Sequence, residues 1–134
     1  MTALISFIIP HKGREKMLID TLDSIKHQTL PADQFEVVLV SQNTNVSSRL
    51  REFEQFFSLN IIYNDDAKSI SHSRNLGAEK AKGTYFAFLD ADVSLASDYA
   101  LVMLQKLQQS SSLALVAAMQ INSENAPPLE RIRT

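Results

Sequence analysis

The chain has no cysteine, so neither a disulfide framework nor thiolate chemistry is open to it, and the composition suits the cytoplasm. Long apolar runs are missing as well. The opening MTALISFIIPHKGR holds about six apolar residues before Pro10, against the roughly twenty that a spanning helix needs. It also lacks the positive leading region of a secretory signal, so a soluble protein is expected. Charge of one sign is absent: the net charge is -2 and the cations are dispersed, which argues against a duplex-binding face and leaves nucleic acid out of the expected partners. No Gly-x-Gly-x-x-Gly or Gly-x-x-x-x-Gly-Lys motif occurs, which counts against the common dinucleotide and P-loop sites. Internal repeats and low-complexity segments are lacking too.

What is present is an alternation of short apolar runs with helical patterns over 134 residues, a length that fits one domain able to bury about two thirds of its unfolded surface. Strands are expected at Leu4 to Ile9, Phe35 to Val40, Asn60 to Tyr63, Thr84 to Leu89 and Leu113 to Met119. Their near-continuous apolar character is that of parallel strands covered on both faces. Met17, Leu18, Thr21, Leu22 and Ile25 make one helical stripe; Val46, Leu50, Phe53 and Phe57 make a second. A third helix, Ser69 to Lys82, would turn the small face of Ile70, Ser73, Gly77 and Ala81 to the sheet and end at Gly83 as a left-handed cap. A fourth would start at Ser97 with Leu101, Leu104 and Leu107 inward. The order implies an α/β fold with a mostly parallel sheet of about five strands, and ligands in such sheets collect beyond the carboxyl ends.

The loops at those ends are polar. They read PHKGR (Pro10 to Arg14), SQNTN (Ser41 to Asn45), NDDAKS (Asn64 to Ser69) and DADV (Asp90 to Val93). Asp90 and Asp92 close the fourth apolar run two residues apart, and the strand period of two would send both carboxylates to the same side with Ala91 away. Two such oxygen donors suit Mg²⁺ or Mn²⁺ carrying a substrate's phosphates. Aspartates also end strands and open turns for purely structural reasons, so the triplet needs its context.

That context is Pro10 after the first strand, SIKHQT at Ser24 to Thr29, and SRNLGAEKAKGTYFAFLDAD at Ser73 to Asp92. This ordered set, from residue 4 to about 119, resembles the nucleotide-binding half of a family 2 glycosyltransferase with the GT-A fold, a Rossmann-like three-layer α/β/α architecture. The resemblance implies inverting transfer of a sugar from a nucleotide diphosphate donor, a UDP-sugar first among them, to a hydroxyl on a saccharide or lipid-linked acceptor, in cell-surface polysaccharide synthesis. Matched by position, Asp92 would bind the metal bridging the phosphates and Asp90 would face the ribose or share that metal. Arg74 would lie near the nucleotide, and Pro10 and His11 would form the first nucleotide-contacting loop. Such an enzyme is expected in the cytoplasm, including the inner face of the membrane.

The sequence departs from the family pattern in two places. Ser41 and Gln42 stand where aspartates usually follow the second strand, so any contact with base or ribose there would come from a hydroxyl or an amide. Beyond Asp92 the acidic residues are Asp98, Glu124 and Glu130, none placed as a general base, and the catalytic residue is left unassigned. Residues 1–120 are therefore read as the donor-binding domain and 121–134, with Pro127 and Pro128, as a polar tail or the start of a missing acceptor half. The alternative is a degenerate, non-catalytic GT-A domain acting in assembly or regulation, with self-association as its signature.

Overall fold

The computed structural model describes residues 3–64 and 70–109. Its strands are β1 (Ile5–His11), β2 (Phe35–Ser41), β3 (Ser58–Tyr63) and β4 (Tyr85–Phe88). They form one parallel sheet in the order β3-β2-β1-β4, with Ile5 opposite both Phe35 and Tyr85. The expected fifth strand, Leu113 to Met119, lies outside the described residues, as do the boundary near residue 120 and the tail.

Every residue of β1 and β2 is buried, which explains why both runs are apolar without alternation. Phe7, Ile9, Val37 and Leu39 join one core with Leu18, Leu22 and Ile25 of α1 (Lys16–Lys26) and with Met103, Leu104 and Leu107 of α4 (Tyr99–Gln109). Ile8, Val38 and Val40 point the other way, against Leu76 and Ala78 of α3 (Ile70–Lys80). The result is the expected three-layer α/β/α arrangement.

The second helical stripe is buried at all four positions, but its backbone is a single α-turn, α2 (Ser48–Arg51), continued as a 3₁₀ helix over Glu52–Gln55. Ser47 caps α2 by accepting from the Leu50 amide.

Four expectations on helix faces and ends are corrected. Met17 is 61% exposed rather than inward, because α1 begins only at Lys16 and its first turn stands clear of the sheet. Ile70 is likewise exposed at the start of α3, so Ser73 and Gly77 carry the close approach; a Cβ on Gly77 would come within 2.5 Å of Ile8 Cγ2. In α4, which begins at Tyr99 rather than next to Ser97, Leu101 faces out and Tyr99, Ala100 and Met103 take the inner positions beside Leu104 and Leu107. Gly83 does not adopt a left-handed conformation; Gly13, with φ +92°, is the positive-φ glycine among the described residues.

Gly83 instead belongs to a buried polar knot. Glu36, nearly buried in β2, accepts 2.6 Å hydrogen bonds from Ser6 Oγ and from the Lys82 amide, and Ser6 Oγ accepts from the Gly83 amide at 2.8 Å. Removing the carboxylate would strand two donors at the sheet's lower end. Glu36→Leu is expected to lower the unfolding free energy by about 3 kcal/mol and Glu36→Gln by about 1 kcal/mol, measured by urea denaturation. Equal stability of wild type and Glu36→Leu would refute the knot's contribution.

Candidate functional site

The chain lays down β1, β2 and β3 outward in one direction and then returns to place β4 on the other side of β1. The order reverses between β1 and β4, so the loops leaving these two strands part and open a crevice at their carboxyl ends. A cleft of about 490 Å³ lies there, lined by Pro10, His11, Lys12 and Arg14 from the β1 loop, by Asp90, Ala91 and Asp92 after β4, and by Met17, Gln42, Ile70 and Ser73.

The aspartates are not on the strand. β4 ends at Phe88, and Ala91 and Asp92 occupy a turn, so the period-of-two argument does not describe their geometry. Both nevertheless line the cleft, together with Ala91. Asp90 Oδ1 is 3.2 Å from Arg74 Nη2, and both side chains are about half exposed. This pair is therefore a solvated one, worth little to stability, and its value lies in orienting the two groups. Among the described residues no hydrogen bond or ion pair holds Asp92. Arg74 itself is outside the cleft lining and reaches it through Asp90; its Nε is buried without a partner among the described residues.

Cations Lys12 and Arg14 share the cleft with the two carboxylates, giving it both signs of charge. No cluster of three or more metal-ligating side chains exists among the described residues. A divalent ion here would have two carboxylates and would draw its remaining oxygens from solvent or ligand, which is how Mg²⁺ is commonly held.

The β1 and β2 loops are tied together. Gly13 donates its amide to Asn43 Oδ1 while Asn43 Nδ2 donates to the Gly13 carbonyl, at 2.9 and 2.8 Å. One turn on, the Glu15 carboxylate accepts from the Ser47 amide and hydroxyl. Ser41 is fully buried and absent from the cleft lining; its Oγ accepts from the Asn43 amide and so shapes the loop. Gln42 does line the cleft, and its amide donates to the His11 carbonyl. His11 is 5% exposed, so its ring is set into the wall rather than offered as a stacking face. Asp65 and Asp66 lie outside the described residues.

Sequence reasoning left the SIKHQT stretch without a task. Together with Thr21, it holds the chain that follows the aspartates. Thr21 Oγ1 donates to the Val93 carbonyl (2.6 Å), Ser24 Oγ accepts from the Leu95 amide (3.0 Å), and Gln28 both donates to the Ala96 carbonyl and accepts from the Ala100 amide. A polar row at positions 21 and 24 of a helix whose neighbours are core, continued at position 28 just past its end, was the available signal, since such groups need partners when buried.

A chain with this sheet order and this cleft is an α/β domain of the GT-A fold. The profile of glycosyl transferase family 2 matches residues 6–133, and the chain belongs to that family. It is 24% identical over 131 residues, 96% of its length, to the putative teichuronic acid biosynthesis glycosyltransferase TuaG of Bacillus subtilis. Among solved structures it superposes on residues 1–349 of S. aureus TarS with a TM-score of 0.79 at 22% identity, covering 92% of this chain and 38% of the other. The mannosyltransferase PcManGT from Pyrobaculum calidifontis, solved with GDP-Man and Mn²⁺, superposes with a TM-score of 0.75 at 20% identity, covering 88% and 36%. The chain spans about half the length of TuaG and under two fifths of other curated relatives that it matches. No helix among the described residues is long and apolar enough to cross a membrane.

Proposed function

We propose that this chain is the donor-binding part of an inverting glycosyltransferase that uses a nucleotide diphosphate sugar, first of all a UDP-sugar, in building a cell-surface polysaccharide. The observation that carries the reading is the cleft at the β1/β4 reversal, where two exposed carboxylates meet Lys12, Arg14 and, through Asp90, Arg74. Support also comes from TarS, solved with UDP and with UDP-GlcNAc, and from the GDP-Man and Mn²⁺ bound by PcManGT. The surface-polymer setting rests on TuaG.

In this reading Asp92, with Asp90, holds Mg²⁺ or Mn²⁺. The ion, when bound, supplies a Lewis acid that neutralises charge on the leaving diphosphate. Arg74 steadies Asp90 and offers further guanidinium hydrogens to anionic oxygens. Lys12 and Arg14 attract the phosphates, and Pro10 and His11 border the nucleoside. Residues 1–120 form the donor-binding domain. Among the described residues the cleft offers no carboxylate beyond Asp90 and Asp92, so the base that activates the acceptor hydroxyl comes from outside the described residues.

Calorimetric titration with UDP and GDP in Mn²⁺, Mg²⁺ or EDTA tests the reading. Nucleotide binding that appears with the metal and vanishes with EDTA is expected. Silence toward both nucleotides, combined with stable self-association, would favour the degenerate assembly domain, a reading to which the buried and engaged Ser41 lends weight.

A further inference from the structure

His11 is the one histidine in the cleft wall, and its two ring nitrogens have different fates. Nε2 lies 2.7 Å from the Arg14 carbonyl oxygen, whose lone pairs can only accept, so Nε2 carries the hydrogen. In the neutral ring this leaves Nδ1 as a bare acceptor. Nδ1 is buried and has no partner among the described residues, in a residue that is 5% exposed and that lines the cleft. A buried acceptor without a donor is costly, and such an atom at a ligand cleft points to a hydrogen that the ligand brings. The loop is built to hold this tautomer: Gly13 at φ +92° turns the chain so that Arg14 O returns to the ring, and the Asn43 clamp fixes Gly13.

We infer that His11 Nδ1 accepts the ring N–H of the donor's base, and so selects uracil or guanine over cytosine or adenine. This rests on the donor-binding reading above. Uracil N3 and guanine N1 carry a hydrogen, whereas the corresponding cytosine and adenine ring nitrogens are acceptors and would set lone pair against lone pair. Ser41, at the end of β2, cannot take this task, because it is buried outside the cleft and its Oγ is engaged with the Asn43 amide. Reaching Nδ1 requires the cleft wall to yield, and the exposed, unbranched Met17, which also lines the cleft, is an adaptable part of that wall.

The test uses paired ligands and two substitutions. His11→Gln retains a terminal nitrogen suited to Arg14 O but has no atom equivalent to Nδ1; His11→Asn keeps an acceptor near Nδ1 and gives up the Arg14 contact. Dissociation constants are measured for UDP against N3-methyl-UDP and CDP, and for GDP against N1-methyl-GDP, with thermal melts checking the fold of each variant. The wild type is expected to favour the N–H form by about tenfold or more. That ratio should fall to near one in His11→Gln and persist in His11→Asn, whatever its overall affinity. A long-range ¹H–¹⁵N spectrum of the free chain should register a protonated Nε2 and a bare Nδ1. Equal binding of UDP and N3-methyl-UDP, or a ratio unchanged in His11→Gln, overturns the inference and leaves the nucleotide site standing. A His11-dependent preference that instead follows 2′,3′-dideoxy-UDP would assign the contact to ribose and also overturn it. Failure of the wild type to bind any nucleotide sinks the donor-binding reading itself and this inference with it.

Discussion

Asparagine at position 92 is expected to cut metal-dependent UDP affinity by about a hundredfold or more while leaving the melting temperature near that of the wild type. The two halves of this expectation have one cause. Asp92 is exposed, lines the cleft and is held by no hydrogen bond or ion pair among the described residues, so its charge is not spent on the fold. Asp90, by contrast, already shares its Oδ1 with Arg74. An unengaged carboxylate beside an ion-paired one is the better hard-cation ligand, and the amide keeps the shape while removing the charge. Calorimetry with UDP at saturating Mn²⁺ provides the measurement. Unchanged affinity in Asp92→Asn would mean that the ion, if any, sits elsewhere.

A structural effect as large as that of Glu36→Leu is expected at Gly83. A Cβ there would lie 2.8 Å from the Ser6 amide nitrogen and 2.9 Å from the Ile5 carbonyl carbon, both backbone atoms of the central strand. Side chains can rotate away from an intruding methyl, but a strand hydrogen-bonded on both edges cannot shift without disturbing its two neighbours. Gly83→Ala is therefore expected to lower the unfolding free energy by about 3 kcal/mol. Position 13 gives the control: there a Cβ meets nothing within 4 Å, and only the positive φ opposes alanine, at about 1–2 kcal/mol. Urea denaturation of both variants separates the mechanisms, and an unaltered Gly83→Ala midpoint would refute the packing account.

These two glycines also mark what could be read in the sequence. Glycine serves either a left-handed backbone or a close approach, and the letter alone does not distinguish them; at position 83 helix-end logic suggested the first and the sheet imposes the second. Strands β1 and β2 were legible because burial on both faces demands unbroken apolar runs. The cores of α1 and of the 46–57 segment were legible from spacing, yet the backbone of the latter tightens into a 3₁₀ helix, which places the same side chains inward. Met17 and Leu101 misled because a stripe's apolar character does not say where the sheet stops covering it.

For the site, the loops at the strand ends were foreseeable from topology, and the three that lie within the described residues, after β1, β2 and β4, do contribute to one cleft. The geometry of Asp90 and Asp92 was not, since the strand closes one residue earlier than its apolar run suggests and the chain then turns at Ala91 and Asp92. The burial of Ser41 and the bare nitrogen of His11 depend on Asn43 and on the Arg14 carbonyl, contacts set by the folded loop and carried by no local pattern.

Helix α1 has a mechanical consequence for the two rims. Its leading end follows the basic β1 loop, while its Thr21 and Ser24, with Gln28 just past its end, grip the backbone downstream of the acidic turn. The opposing jaws are thus splinted to a single rod, so a hinge between them is denied at this end of the sheet. Accommodation of a bulkier guest must come from the pliable lips, Met17 and Ile70, while the charged anchors hold their spacing.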